Sequence, residues 1–328
     1  MASSTRISRR TFLKSGTTAA SAFALSCLMP AEGIHSVFAN DRSENSNVFF
    51  TRKIDGEGLR RLYALVNQGM TGNIAVKLHT GEPGGPNLIP VDIVKSLMHD
   101  IPGASIVECN VLYPGPRQTT EGHRATIARN GWTFCPVDIL DAEGDTHLPV
   151  HGGKWIKELA VGKNLLSYDS MLVLTHFKGH TLGGFGGSLK NIAIGCASGK
   201  AGKEQLHRQG DTLWSGGTNF MERMAEGGKA ITGHFGQRIT YINVLRNMSV
   251  DCDCAGTRAA APVAPDLGIL ASTDILAADQ ASVDLVYALP EAQKRDLVER
   301  IESRGGLRQL TYMKELGMGA GSYDLIEI

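Results

Sequence analysis

The chain has few aromatic residues, 6% of 328, and no net charge: lysine plus arginine and aspartate plus glutamate each number 33. That balance removes any global basic field, and with it the case for a nucleic-acid partner or for charge-driven attachment to an anionic membrane. A cationic patch, if there is one, must be local. No internal repeat, low-complexity tract or coiled-coil heptad is found. No stable membrane span is expected, because no apolar run approaches the length a bilayer demands. Neither the Walker A pattern nor the Rossmann glycine fingerprint occurs.

What the chain has in quantity is glycine, 39 residues, which suits an α/β fold with many tight turns. Near the N-terminus, Ser8-Arg9-Arg10-Thr11-Phe12-Leu13-Lys14 reads as a twin-arginine export motif. A weakly apolar stretch from Ser15 to Met29 follows, and Val37-Phe38-Ala39 offers small residues for cleavage. Residues 1–39 are therefore expected to be a signal peptide handled by the twin-arginine translocation machinery, with a periplasmic or otherwise exported product. Cys27 is an alternative lipid-attachment position. Residues 40–328 leave enough chain for one substantial core.

Alternating segments predict the fold class. Helical spacing runs over 57–67, 90–100, 121–130, 219–229, 275–288 and 291–303. Strand-like runs occupy 73–79, 104–109, 137–140, 170–175, 239–245 and 267–271, with an edge strand at 157–161. The expectation is a single α/β domain, a doubly wound, mostly parallel sheet with helices on both faces. The glycine-rich stretch at 198–238 is expected to form an inserted loop or small subdomain.

The chemistry concentrates after the apolar run Ser170–Thr175, which reads as a buried strand. His176, Lys178 and His180 follow it; in extended chain they share one side. Gly183, Gly184, Gly186 and Gly187 come next, then Ser188, Lys190 and Asn191. Ligands in open α/β sheets bind beyond the carboxyl ends of strands. Lys178, His180 and Lys190 are the expected catalytic groups, supplying charge stabilisation and proton transfer. His176, the four glycines, Ser188, Asn191, Asp266 and Asp279 are the expected ligand-binding residues. The glycines and Ser188 suggest backbone N–H groups at a helix start, ready for a small anionic ligand. Asp279 lies on the apolar stripe of the 275–288 helix, as a site carboxylate or as a structural cap or ion pair. Asp284 has a solvated position open to it. The loops after the strands ending near Lys77, His176, Arg246 and Ser272 would share this crevice if all those strands were parallel.

Five cysteines follow the signal: Cys109, Cys135, Cys196, Cys252 and Cys254. An odd number cannot be fully paired, and Cys252 and Cys254 are too close for an unstrained disulfide. Cys196, Cys252 and Cys254, with His176, His180 and His207 as nitrogen donors, form a candidate metal set; the alternative is a turn held by Asp251 and Asp253.

Several ordered blocks carry a family resemblance. Lys178-Gly-His180, Gly186-Gly-Ser-Leu-Lys190-Asn-Ile-Ala-Ile-Gly-Cys196, Gly202-Lys203 with His207, Asp251-Cys-Asp-Cys254, Pro265-Asp266-Leu-Gly-Ile-Leu-Ala-Ser and Asp274 through Asp284 resemble domain-of-unknown-function family 362. Its members are often described as iron–sulfur centre proteins. The resemblance implies an α/β domain of unassigned activity, with a fold remotely similar to the lactate-racemase family. Many relatives carry a ferredoxin-like insert after the position of His207, but Arg208 to Ile239 contains no cysteine, so ferredoxin-type 4Fe-4S clusters are not expected from it. Two functional readings follow. One is an exported enzyme or redox-associated protein that binds a small anionic ligand, with a metal as an optional component. The other is a non-catalytic binding or assembly factor for a redox partner.

Overall fold

The structure, a computed structural model, describes residues 5–9, 11 and 45–328. Arg10, Cys27, the apolar stretch after the arginine pair and the expected cleavage position lie outside the described residues. One nine-stranded sheet organises the chain, in the order β1 (Thr5–Ser8), β13 (Tyr323–Glu327), β2 (Ser46–Thr51), β12 (Gly268–Ser272), β11 (Ile239–Leu245), β8 (Ser170–His176), β3 (Ile74–Lys77), β4 (Ser105–Glu108) and β5 (Val137–Ile139). The block β11-β8-β3-β4-β5 is parallel throughout. β13 pairs with β2 in parallel, whereas β12 runs antiparallel to both of its neighbours. β1 is antiparallel to β13.

The central strand β8 shows why the sheet is covered on both sides. Its seven residues are all buried. Successive side chains point to opposite faces, so Met171 and Val173 enter one core while Leu172 and Leu174 enter the other. The second core is closed by α1 (Gly56–Val66), α2 (Val91–His99) and α3 (Thr120–Arg129), through Leu59, Leu62, Leu97 and Ile127. The first is closed by α4 (Ser188–Cys196), α5 (Ala201–His207), α6 (Gly217–Phe235), α7 (Ile275–Tyr287), α8 (Glu291–Ser303) and α9 (Arg308–Glu315). Each fully buried leucine in these faces contributes about 2 kcal/mol of transfer free energy. The fold is therefore α/β, mostly parallel, with helices on both faces, as the alternation of elements predicts. Among the described residues no helix is long and apolar enough to cross a membrane.

Four details depart from the sequence expectation. First, β12 is reversed, so Asp274 at its end lies at the opposite edge of the sheet from the ends of β3 and β8. There Asp274 caps α7, accepting from Ala277 N at 2.9 Å. Second, the segment expected as an edge strand, β7 (Glu158–Gly162), does not join the main sheet; it pairs with β6 (Asp145–Pro149) in a separate hairpin. Third, the 198–238 stretch does not stand apart as a subdomain. It supplies α5 and α6, and Phe220, Met221, Met224 and Ile231 of α6 are buried in the first core. Fourth, Asp284 is buried rather than solvated, accepting from Tyr323 Oη at 2.8 Å and Arg9 Nε at 2.7 Å.

Candidate functional site

At the carboxyl ends of β3, β4 and β8 lies a cavity of about 230 Å³. Strand ends place the first polar groups. Lys77 is the last residue of β3, Glu108 of β4 and His176 of β8. The chain beyond β8 stays extended: Phe177 N donates to Val244 O, and Lys178–His180 forms a short strand, β9, paired with β10 (Gly184–Gly186). Phe177 points into the core while His176, Lys178 and His180 all line the cavity. Gly179 lies between them because a Cβ there would stand 2.2 Å from Val250 O.

The loop after β11 brings the dithiol turn to the same place. Asp253 holds the two segments together. His176 Nδ1 lies 2.9 Å from its Oδ1, and Lys178 Nζ lies 2.9 Å from its Oδ2. Burial alone would raise the Asp253 pKa, but His176 and Lys178 outweigh it and hold the carboxyl well below its usual range. His176 Nε2 donates to Arg246 O at 2.7 Å. Both ring nitrogens of His176 are thus engaged, and the residue anchors the loop rather than offering a free nitrogen.

Lys190 Nζ is 2.8 Å from Cys252 Sγ. Cys254 N lies 3.5 Å from that sulfur, and the Cys254 side chain together with Lys190 pulls the Cys252 pKa well below the usual thiol value against the opposing effect of burial. Donating to Cys252 pushes Cys254 up correspondingly.

Four further cationic groups line the cavity: Lys77, Arg117, Lys178 and Lys203. Lys77 Nζ donates to Leu78 O at 3.1 Å and to Asn191 Oδ1 at 3.0 Å, and Glu108 Oε1 lies 3.8 Å away. Room for it comes from Gly195 in α4, where a Cβ would approach Lys77 Cε to 2.3 Å. Lys203 Nζ donates to Ala197 O at 2.6 Å. Burial lowers the pKa of both ammonium groups, and the nearby negative groups offset it only in part. Arg117 bridges Glu108 at 3.1 Å and Glu82 at 3.0 Å. Glu108 is the one Asp or Glu among the lining residues. Burial opposes its charge, yet Arg117 and His79 hold it well below the usual carboxylate range.

Glu108 also fixes a histidine. His79 Nδ1 lies 3.0 Å from Glu108 Oε1, and an ionised carboxylate only accepts, so Nδ1 carries the proton. His79 Nε2 is shielded from solvent and has no hydrogen-bond partner. Burial, then Arg117, lower the pKa of this ring. Two other lining histidines, His180 and His207, are also held neutral. His180 falls to about 3, chiefly through burial, and accepts from Gly183 N at 2.9 Å on Nδ1. His207 falls to about 4 for the same reason and donates from Nδ1 to Lys203 O at 2.8 Å. The remaining wall is apolar: Val111, Leu112, Leu182, Ile194, Tyr113 and the 40% exposed Trp214.

Not every expected residue belongs here. Asp279 is not at the cavity; it receives Ser188 N at 2.7 Å and Leu189 N at 2.9 Å, filling the start of α4 with the protein's own carboxylate. The anion cradle expected from Ser188 and the glycines is thereby occupied from within. Gly187 does line the cavity, and it lacks a side chain because a Cβ would meet Asp279 Oδ1 at 2.4 Å. Gly183 and Gly184 are engaged in backbone packing: Gln309 Nε2 donates to Gly183 O, and a Cβ at Gly184 would meet Gly306 Cα at 2.8 Å. At Gly186 a Cβ would press on Lys190 Cδ at 3.1 Å, so this glycine makes room for that side chain. Ser188 Oγ donates to Asn243 Oδ1 away from the cavity. Asp266 is exposed and holds the turn after β11 by accepting from Asn247 N. Asn191 does line the cavity, where its amide braces Lys77, Leu174 O and Thr175. The three candidate metal cysteines are not brought together as a ligand group. Cys196 sits at the end of α4, its carbonyl accepting from Cys109 Sγ, and no three of the described His, Cys, Asp or Glu residues converge to hold a metal.

The strand end at Lys77 and His79 is expected at the crevice without a role for either side chain, and Glu108 and Arg117 are not expected there at all. Lysine and glutamate closing otherwise apolar strands were the available signal, since a charge there needs a partner.

None of the curated proteins compared matches the sequence. Among solved structures, the lactate racemase apoprotein of Thermoanaerobacterium thermosaccharolyticum aligns at 11% identity with a TM-score of 0.39, covering 76% of this chain and 59% of that one. A protein of Thermotoga maritima aligns at 12% identity with a TM-score of 0.39 and the same coverage, so the chain spans about three-fifths of the length of either. Residues 74–284, which contain every element of the cavity described above, match the family described as Domain of unknown function (DUF362), and the chain belongs to that family.

Proposed function

We propose that this protein binds a small organic anion in the cavity at the ends of β3, β4 and β8. One observation carries the reading: Lys77, Arg117, Lys178, Lys190 and Lys203 line a single cavity whose wall has one carboxylate. Arg117, Lys178 and Lys190 already have partners in Glu108, Asp253 and Cys252. Lys77 reaches Glu108 only at 3.8 Å, a carboxylate it shares with Arg117 and His79, and Lys203 donates to the Ala197 carbonyl; burial lowers the pKa of both ammonium groups, and the negative groups near them offset it only in part. An incoming anion would supply what is missing. The apolar side of the wall favours a ligand with a carbon body over a bare inorganic ion.

The Cys252–Cys254 pair supports a redox-associated role as a second reading, because a stabilised thiolate beside a protonated thiol is what thiol exchange uses. Export through the twin-arginine pathway belongs to the same proposal and rests on the N-terminal motif alone.

Calorimetry with phosphate and with phenylacetate tests the reading. Binding should be enthalpically visible in the parent protein and at least ~10-fold weaker in Lys77→Met and Lys190→Met, a loss of the size expected for one charge-assisted contact. Equal affinity in all three proteins would remove the cavity from consideration.

A further inference from the structure

We propose that His79 is the general base of an active site in this cavity, taking the proton from the carbon next to the carboxylate of a small aryl- or alkyl-substituted acid. The inference rests on the anion-binding reading above and adds chemistry to it.

Geometry isolates His79 among the four lining histidines. His176 has both nitrogens bonded, to Asp253 and to Arg246 O. His180 Nδ1 is occupied by Gly183 N, which leaves a proton on its Nε2, so that nitrogen can donate but not accept. His207 Nδ1 is tied to Lys203 O, and its ring packs between Trp214 and Phe220 at centroid separations of 4.9 and 5.1 Å. His79 alone has a carboxylate behind one nitrogen and an unpartnered, solvent-shielded nitrogen on the other side. An unsatisfied buried acceptor costs about 1–3 kcal/mol, and such a cost persists where a ligand is to occupy the position. Glu108 stands where an orienting carboxylate must stand: it fixes the tautomer and stabilises the imidazolium once the proton arrives. Thr80 N, Thr80 Oγ1 and Arg117 hold Glu108 in turn.

The number of cations argues for the substrate class. Binding one carboxylate takes one or two. Removing a proton from the adjacent carbon leaves the electron pair delocalised onto that carboxylate, which then carries a second negative charge. Lys77, Lys178, Lys190, Lys203 and Arg117 line the cavity in which that charge would develop. The step balances without any redox partner: the C–H bond breaks, its pair remains on the substrate, and the proton sits on His79 Nε2 until it is returned to carbon. The groups acting on the His79 ring are Glu108 and Asp253, which favour its protonation, and Arg117, which opposes it. Val111, Leu112, Tyr113 and Trp214 provide the surface for the substituent.

The test is solvent exchange. Phenylacetate, mandelate and 2-phenylpropionate are incubated with the full chain in deuterium oxide, exchange of the proton beside the carboxylate is followed by NMR, and binding of each acid is measured in parallel by calorimetry. At least one bound acid should exchange ~10²-fold faster with the parent protein than with His79→Gln or His79→Asn, the usual scale of general-base catalysis. Both variants should still bind it. An acid that binds but does not exchange, or exchanges equally with the variants, overturns the base assignment and leaves anion binding intact. Binding of phosphate but of no carboxylate overturns the substrate class. Absence of any anion binding overturns the earlier reading as well.

Discussion

Asp279 occupies the position in which a bound anion was expected: its carboxylate accepts from Ser188 N at 2.7 Å and Leu189 N at 2.9 Å at the start of α4. Helix N-termini attract negative charge through their unpaired N–H groups and their dipole. Here the anion is internal. It docks α7 onto α4, with Asn243 Nδ2 donating to the same carboxylate at 3.0 Å. Burial nevertheless pushes the Asp279 pKa up to about 6, against the backbone and Asn243 hydrogen bonds.

The first prediction concerns this junction. Asp279→Ala strips two buried N–H groups of their acceptor and should cost about 2–4 kcal/mol. Gly187→Ala forces a Cβ to within 2.4 Å of Asp279 Oδ1 and should be comparably damaging. Urea denaturation measures both. A loss under about 0.5 kcal/mol for either would show that the contact does not hold α4 in place.

Lys190 and Cys252 give a second expectation. The Cys252 thiolate should form well below the usual thiol range, as followed by ultraviolet absorbance. Lys190→Met removes the neighbouring ammonium and should move that titration upward, as should Cys254→Ala, which removes the thiol donor. No movement in either variant contradicts the assignment of the low-pKa thiol.

A third expectation follows from Lys77 and Lys203. An arriving anion raises their lowered pKa values, so binding takes up protons over the pH range between the free and the bound values. Affinity should fall as pH rises through the range in which they deprotonate. Calorimetry in two buffers of different ionisation enthalpy would detect the uptake; identical heats in both buffers count against it.

Asp253 governs acid stability. Its folded pKa lies below the unfolded value of about 3.9, so the stabilisation is fully present above that value and is lost as pH falls toward the folded pKa. Asp253→Asn should lower stability at neutral pH and flatten the acid limb of the stability curve, since His176 and Lys178 lose their shared counter-charge. A variant with an unchanged acid limb would place that sensitivity elsewhere.

Much of this was legible in the chain. Uninterrupted β-rich runs such as Ser170–Thr175, alternating with helical spacing, specify a covered parallel sheet, because only strands buried on both faces read that way. The cluster His176, Lys178, His180 and Lys190 marked the cavity, since strand ends of a parallel sheet converge on one edge. β12 was legible as a strand, but its reversal was not, because strand direction leaves no trace in a five-residue apolar run. Ser46–Thr51 and Tyr323–Glu327 escaped for a related reason: their pairing partners are far away in sequence.

The amino-acid order alone thus determined the layers and the cavity's place, through local periodicity and the chemistry of the residues that close β8. Tertiary structure alone decided which charges are spent on the protein itself and which face the cavity. Asp279, Asp266 and Ser188 went to internal hydrogen bonds, while Lys77, His79, Glu108 and Arg117 came in from β3, β4 and the loop beyond. The reason is physical: a polar group's role depends on whether the folded chain brings it a partner, and partners separated by tens of residues are set by packing rather than by sequence spacing.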